Sequence, residues 1–178
     1  MIELQVDAVG LQQAARELGA TGAQGQQALR STVGKMTRWA RMRSVRDLGK
    51  GLVVPQKVLH PRVKARRLRR TARGAESGVW YGLNPVALIR LGARQTRTGV
   101  SARGGRKVDG AFIARARGGG AQVFKRRGRE RLPIVVQAAD IEARATDYIQ
   151  DDLVGARAFE QQFHRVFEHE IQWQMRKR

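Results

Sequence analysis

The chemistry of this sequence is concentrated in a basic, glycine-rich segment from Gly92 to Lys107. The segment reads G-A-R-Q-T-R-T-G-V-S-A-R-G-G-R-K and contains no acidic residue. Guanidinium groups form paired hydrogen bonds with phosphate or carboxylate oxygens, so the segment is suited to binding an anion. It offers few apolar side chains for burial, and we therefore predict a long loop that is mobile on its own. Its basic residues are Arg94, Arg97, Arg103, Arg106 and Lys107.

A second basic run, V-K-A-R-R-L-R-R-T-A-R, covers residues 63–73. Val63 and Ala65 alternate with polar residues as they would in a strand, but the alternation breaks at Arg67. Two interpretations remain open, a strand with a bulge and a basic loop. The second predicted basic site consists of Arg66, Arg67, Arg69 and Arg70.

The excess positive charge lies in the middle of the chain. The 178 residues include 35 Lys and Arg against 15 Asp and Glu, which gives a net charge of +20. Residues 30–73 carry fifteen basic residues and one acidic residue, and residues 74–131 carry thirteen and three. The two flanking segments are each slightly acidic. This distribution favours nucleic acid as the partner and an acidic protein as the second alternative, although a GC-rich genome also enriches arginine.

The sequence contains no recognisable set of catalytic residues. It has no cysteine, which excludes thiolate nucleophiles and Cys-ligated zinc. His164 and His169 are five residues apart, whereas paired metal ligands on a helix are four apart, and no Walker loop is present. We predict that the protein is not an enzyme and needs no cofactor. The catalytic alternative is a small basic nuclease that would use His60, Tyr81 and the arginines.

The elements that must position the basic residues are predicted to be helices on either side of a sheet. Ile2–Val6 alternates as a strand does, and Asp7 can cap a helix that follows. Apolar residues at spacings of three and four predict a longer helix from Ala23 to Leu48. Short apolar runs bounded by Gly, Asn and Pro predict the strands of one sheet. These runs are Gly78–Leu83, Pro85–Leu91, Val108–Ala114, Ala121–Arg126 and Leu132–Gln137.

The predicted fold class is therefore α+β, with N-terminal helices and a C-terminal helix flanking a mostly antiparallel sheet or partial barrel. A chain of 178 residues suits a single domain. Residues 1–50 would form the N-terminal strand and helices, residues 51–138 the sheet with its basic loops, and residues 139–178 the C-terminal helical segment. No apolar run approaches the roughly 18 residues of a membrane span, and the N-terminus does not resemble a signal peptide.

Aromatic residues are few, and we expect most of them in the core. Trp80, Tyr81, Phe112 and Phe124 fall on predicted strands, where an aromatic ring packs in a core or stacks on an unpaired base. Core packing is the more common use of such residues, and we favour it here. Three further aromatic residues recur at a spacing of four in the last helix, where they would pack on the sheet or form a surface for a neighbouring subunit. They are Phe159, Phe163 and Phe167.

The central part of the chain resembles the phage minor tail protein Z family, the tail completion proteins of lambda-like siphophages. The resemblance rests on an ordered set of short segments between residues 28 and 136, none of which is specific alone. They are R-W-A-R-M-R-S-V-R at 38–46, V-P-Q-K-V-L at 54–59, R-V-K-A-R-R at 62–67, V-W-Y-G-L-N-P-V at 79–86, L-G-A-R-Q-T-R-T-G-V at 91–100, G-A-F-I-A at 110–114, V-F-K-R-R-G at 123–128 and R-L-P-I at 131–134.

The resemblance implies a structural protein of the virion, located in the tail at its head-proximal end, and made in the host cytoplasm. The implied partners are the tail terminator, other neck or connector proteins, and viral double-stranded DNA in the lumen. Similarity to head–tail joining proteins further implies a sixfold ring of copies of this chain. On this basis we expect the Gly92–Lys107 loop to become ordered on contact with DNA or with a neighbouring subunit. A free, sequence-independent nucleic-acid-binding protein is the alternative.

Overall fold

The structure is a computed structural model that describes residues 2–6, 19–71, 74–115, 119–155 and 157–177. The helix predicted after Asp7 lies outside the described residues. The described helices are α1 (Gly22–Gly51), α2 (Gln56–Leu59), α3 (Glu142–Asp147) and α4 (Ala158–Arg176), with a 3-10 turn at Leu88–Leu91 and a π-helix at Tyr148–Gly155. None of these helices is long and apolar enough to span a membrane.

The long helix α1 begins at a capping box and confirms the helix predicted from Ala23 to Leu48. The Thr21 hydroxyl accepts from the Gln24 N–H at 3.3 Å, and the Gln24 side chain accepts from the Thr21 N–H at 3.0 Å. These two bonds satisfy N–H groups that the first helical turn leaves without intrahelical partners. The apolar positions that predicted the helix are buried. They are Leu29, Val33, Met36 and Ala40.

All strand pairs are antiparallel, and the described strands form four small sheets, so the prediction of one sheet was wrong. β4 is the centre of the largest sheet, where it pairs with β1, β2 and β3. The other sheets have the orders β6-β7-β8, β9-β10-β11 and β5-β12. The strands are β1 (Ile2–Val6), β2 (Val63–Ala65), β3 (Arg69–Thr71), β4 (Gly74–Tyr81), β5 (Val86–Ala87), β6 (Arg94–Gln95), β7 (Gly99–Ala102), β8 (Arg106–Asp109), β9 (Ala111–Arg115), β10 (Ala121–Arg126), β11 (Ile134–Val136) and β12 (Ala138–Ala139).

Individual strand predictions differ in how well they match this arrangement. Ala121–Arg126 is confirmed without change as β10. The Pro85–Leu91 strand is wrong beyond Ala87, because the chain turns there into a 3-10 helix that buries Leu88 and Leu91. The run from Val108 to Ala114 divides at Gly110, whose φ of +70° belongs to a turn between β8 and β9. The α+β class with antiparallel sheets is confirmed.

The core has two parts, and α1 contributes to both. The C-terminal half of α1 packs against β4, and the buried hydroxyl groups of Ser44 and Tyr81 lie 2.8 Å apart across this contact. The N-terminal half packs against α4, where Phe163 and Phe167 are 8% and 3% exposed. Phe159 is half-buried and lies edge-on to Trp39, with ring centroids 6.1 Å apart. Phe163 and Phe167 therefore pack against α1, whereas Phe159 also packs beside the core that contains the sheet, and a contact with a neighbouring subunit stays a prediction.

Candidate nucleic-acid interface

The segment from Gly92 to Lys107 is folded, and the prediction of a mobile loop was wrong. Most of it forms a three-stranded antiparallel sheet, the basic meander, made of β6, β7 and β8. One face of this sheet supplies apolar side chains to the core, where Val100 is 2% exposed and Val108 packs beside it. Burial of this face holds the basic residues of the segment on a defined surface.

The opposite face of the basic meander carries two cations on either side of a hydroxyl group. The register places Arg94 opposite Ser101 and Ser101 opposite Lys107, so the three side chains lie in a row across the sheet. Adjacent strands are about 4.8 Å apart, which separates the two cationic residues by about 10 Å along this row. Arg94 and Lys107 are exposed and Ser101 is half-buried. The cationic row therefore offers charge and a hydrogen-bond donor to a phosphate backbone.

Two further arginines of the segment lie in its turns. Arg97 is in the turn between β6 and β7, which is closed by the Thr96 N–H donating to the Gly99 carbonyl at 2.7 Å. Arg103 begins the turn between β7 and β8, where Gly104 and Gly105 have φ values of +78° and +70°. Both arginines are exposed. The turns thus add cations at the two ends of the basic meander.

Arg106 is bound within the chain, unlike the other predicted loop residues. Its Nη2 donates to the Leu52 carbonyl at 2.8 Å, and its Nη1 donates to the Arg103 carbonyl at 2.7 Å. Arg144 donates to the neighbouring Gly51 carbonyl at 3.0 Å. Both guanidinium groups therefore lie at the C-terminal end of α1, where cations interact favourably with the helix dipole. We assign Arg106 a structural role in joining the basic meander to α1.

The end of α1 is a Schellman motif built on an unusual residue. The Val53 N–H donates to the Lys50 carbonyl at 3.2 Å, and the Val54 N–H donates to the Gly49 carbonyl at 3.0 Å. Val53 has a φ of +50°, a conformation that a β-branched residue rarely adopts. An added Cβ on Gly104 would lie 3.3 Å from the Val53 Cβ, so this helix end packs closely against a turn of the basic meander.

Gln95 joins the basic meander to β9, a role that the sequence pattern did not reveal. Its Nε2 donates to the Gly99 carbonyl at 2.8 Å, and its Oε1 accepts from the Ile113 N–H at 2.9 Å. One amide thus bridges two sheets. Gln95 lies opposite Val100 across β6 and β7, and this pairing cannot be read from the sequence before the register is known.

The second predicted basic site lies on the largest sheet and is exposed. β2 and β3 both pair with β4, and residues 66–68 connect them, which agrees better with an interrupted strand than with a free loop. Arg66 is anchored by its backbone, because its carbonyl accepts from the Ser77 hydroxyl at 3.0 Å. Arg69 lies opposite Glu76, and Arg70 lies opposite Ala75. The two predicted basic sites therefore lie on different sheets.

Several of the cations on α1 are also engaged within the chain. Lys35 forms an ion pair with Glu170 of α4, and the Arg41 Nε donates to the Val63 carbonyl at 3.0 Å. The Arg43 Nε lies 3.4 Å from an oxygen of Asp47. Arg38 is exposed on the outer side of the helix. Part of the basic face of α1 is therefore engaged in contacts within the chain.

A cavity of about 650 Å³ lies between the end of α1 and the π-helix. Tyr148 donates to Asp47 at 3.3 Å across its wall, and burial, followed by the charge of Asp47, raises the pKa of the Tyr148 hydroxyl. Among the described residues, no three potential ligands are grouped to hold a metal ion. Tyr81, which the nuclease alternative requires, is buried and hydrogen-bonded to Ser44, so its hydroxyl cannot reach a substrate.

Comparisons with known proteins identify no relative of this chain, since no family model, no curated protein and no solved structure matches it.

Proposed function

We propose that this protein is a structural component of a phage tail that acts in tail completion at the head-proximal end. It has no enzymatic activity in this proposal. It assembles as a ring of identical copies with the tail terminator and other neck proteins, and its cationic row contacts the double-stranded DNA that passes through the lumen. The site of action is the neck region of the virion.

The cationic row on the basic meander supports this function. The segment 91–100, one of those with family resemblance, supplies Arg94 to a sheet surface that also presents Lys107. A row of cations on a sheet contacts phosphates without reading bases, because phosphate contacts position a protein on DNA and carry no direct sequence information. Such binding suits a protein past which DNA of any sequence must travel.

The second candidate function is free, sequence-independent binding of nucleic acid. The same cationic row favours it, because two exposed cations beside a hydroxyl group suffice for contact with phosphate groups. The two functions differ in location. A tail protein is incorporated in a particle with fixed stoichiometry, whereas a free binding protein remains soluble and distributes over nucleic acid.

The test is complementation of a phage that lacks this gene. Arg94→Ala, Arg97→Ala and Arg103→Ala are combined in one variant, since all three residues are exposed on the basic meander. A matched variant combines Lys57→Ala, Arg165→Ala and Arg176→Ala, which removes three exposed cations elsewhere. We expect the first variant to reduce infectious titre at least about tenfold and the matched variant to preserve it. Equal titres for both variants would contradict the proposal.

A further inference from the structure

One face of the β9-β10-β11 sheet is apolar and lies outside the two core clusters, with Phe124 buried, Phe112 half-buried and Val136 exposed. Phe112, Phe124 and Val136 lie opposite one another on three adjacent strands, and the two phenyl rings are 6.0 Å apart. Ile134 lies on the same face, opposite Arg126, whose guanidinium carbon is 5.6 Å from the centroid of Phe112. Cross-strand neighbours on one face form a continuous surface. This face is therefore apolar with a cationic border.

β11 has a free edge next to this face. The Arg127 N–H donates to the Pro133 carbonyl at 3.1 Å, and the Gln137 N–H donates to the Val123 carbonyl at 2.8 Å. In an antiparallel ladder these bonds fall on alternate residues, so Ile134 and Val136 direct their N–H and carbonyl groups away from β10. Within the described part of the chain, no other strand pairs with β11 at this edge.

The three residues of β11 are apolar and open to solvent. Ile134, Val135 and Val136 are 38%, 43% and 47% exposed, whereas side chains of this type are ordinarily buried. Exposed, unpaired apolar strands are sites at which another extended segment adds to a sheet. Backbone groups at the edge would supply affinity, and the apolar face would select the side chains of the added strand.

The hairpin that precedes β11 determines the charge of this site. Its exposed charged residues comprise five cations and one carboxylate, namely Lys125, Arg126, Arg127, Arg129, Arg131 and Glu130. A strand added at the edge of β11 would lie beside this positive charge. The site therefore favours an acidic segment and disfavours a basic one.

We propose that β11 is a docking edge for an extended, acidic segment of a partner protein, which adds as a strand and places alternate apolar side chains beside Ile134 and Val136, where they extend the Phe112–Phe124–Val136 face. A second copy of this chain is disfavoured at this edge, because both copies would bring the same basic hairpin to the contact. The proposal is independent of the tail assignment, since it rests on the free edge and its charge alone.

The test uses fluorescence anisotropy with labelled seven-residue peptides and the full chain. The first peptide alternates Val with Glu, the second alternates Val with Lys, and the third is the Val–Glu peptide with alternate backbone nitrogens methylated. We expect the Val–Glu peptide to bind at least about tenfold more tightly than either of the others. Equal binding of the methylated peptide would overturn the proposal, because charge alone would then explain the affinity. Absence of binding by all three peptides would also overturn it.

Variants of the chain locate the bound peptide. Val136→Pro removes an N–H that points away from β10, so it blocks the edge while preserving the existing pairing. Val136→Thr is the matched control, because threonine keeps the N–H and suits a strand. We expect Val136→Pro to weaken binding of the Val–Glu peptide at least about tenfold and Val136→Thr to change it less than threefold. The double variant Arg94→Ala, Lys107→Ala should have no effect, since it alters a different surface.

A melting temperature of Val136→Pro equal to that of the wild type shows that this variant is folded. Sedimentation then distinguishes the occupants of the site. If Val136→Pro dissociates an oligomer of the wild-type chain while the Val–Glu peptide does not bind, the edge joins two copies of this chain, and the assignment to an acidic partner is overturned. Wild-type affinity of Val136→Pro for the peptide would likewise overturn it.

Discussion

The guanidinium group of Arg106 donates to the Leu52 carbonyl oxygen at 2.8 Å and so joins the basic meander to the end of α1. One residue further along, Lys107 extends into solvent from the opposite face of the same strand. Neighbouring cations in one basic run thus have different roles, because successive side chains of a strand alternate between its faces. Arg106 thus stabilises the fold, and Lys107 is available to bind a partner.

Arg106→Ala should therefore destabilise the protein, whereas Lys107→Ala should not. Loss of Arg106 leaves the carbonyl groups of Leu52 and Arg103 without their charged donor, and hydrogen bonds to charged groups contribute about 1.5–3 kcal/mol. We expect a decrease of this size in the free energy of unfolding, measured by urea denaturation. Lys107→Ala should change it by less than about 0.5 kcal/mol, as is usual at exposed positions. Equal effects of the two substitutions would contradict the assignment.

The cationic row should contribute to the salt dependence of DNA binding. Each phosphate contact lowers the slope of log K against log salt by about 0.9, so the double variant Arg94→Ala, Lys107→Ala should reduce the magnitude of this slope by about 2. The measurement is a fluorescence titration of duplex DNA at several salt concentrations. Lys57→Ala combined with Arg165→Ala is the matched control, and its slope should remain that of the wild type. An unchanged slope for the first variant would show that the cationic row does not contact the DNA.

Gly99 is the position at which the basic meander tolerates no side chain. A Cβ added there would lie 2.2 Å from the Val108 carbonyl oxygen and 2.9 Å from the Asp109 Cα, and both are backbone atoms. Gly99→Ala must therefore separate β7 from β8, and overpacking of this kind costs about 1–3 kcal/mol. The melting temperature of Gly99→Ala, measured by thermal unfolding, checks this loss of stability. Gly128→Ala, where an added Cβ meets nothing within 4 Å, should leave the melting temperature close to that of the wild type.

Glu170 should make the contact between α1 and α4 sensitive to acid. Burial raises its pKa, but hydrogen bonds from Lys35 and Ser31 and the charge of Lys35 outweigh burial and leave the pKa below its ordinary value. A carboxyl group with a lowered pKa stabilises the fold above its ordinary pKa of 4.5, and this contribution is lost as the pH falls through the lowered value. We expect the wild type to lose stability below about pH 4.5.

Two variants check the origin of this acid sensitivity. Glu170→Gln should be less stable than the wild type at neutral pH and should show a weaker dependence on pH in the acid range, because its side chain cannot titrate. Glu168→Gln changes an exposed residue of the same helix and should follow the wild-type profile. An identical acid profile for Glu170→Gln and the wild type would assign the sensitivity to other carboxyl groups.

The sequence was sufficient for elements whose patterns are local. The apolar stripe through Leu29, Val33 and Met36 predicted α1, because a helix with one buried face repeats every 3.6 residues. Ala121–Arg126 was likewise recognised as a strand. The predicted helix ended at Leu48, three residues before α1 ends, and the contacts of Arg106 and Arg144 with this helix end come from residues that are distant in sequence.

Tertiary contacts explain what the sequence could not reveal. The basic meander resembled a mobile loop because few apolar side chains fix it to the core, among them Val100, Ala102 and Val108, and Gln95 holds it to β9 through a side-chain amide. The phenylalanine stripe of α4 predicted a buried face correctly, but its partner is α1, which no local pattern specifies. The alignment of Arg94, Ser101 and Lys107 in the cationic row follows from the strand register. The sequence shows which residues are basic, but it does not show how the strands align them.

The location of the protein in an assembled particle tests the central claim most directly. A cryo-electron microscopy map of the phage should show a ring of copies at the head-proximal end of the tail, with Arg94, Ser101 and Lys107 facing the DNA path. Absence of the protein from the particle would contradict the assignment to the tail. Presence of the ring with the cationic row directed away from the DNA would contradict the proposed role of that surface.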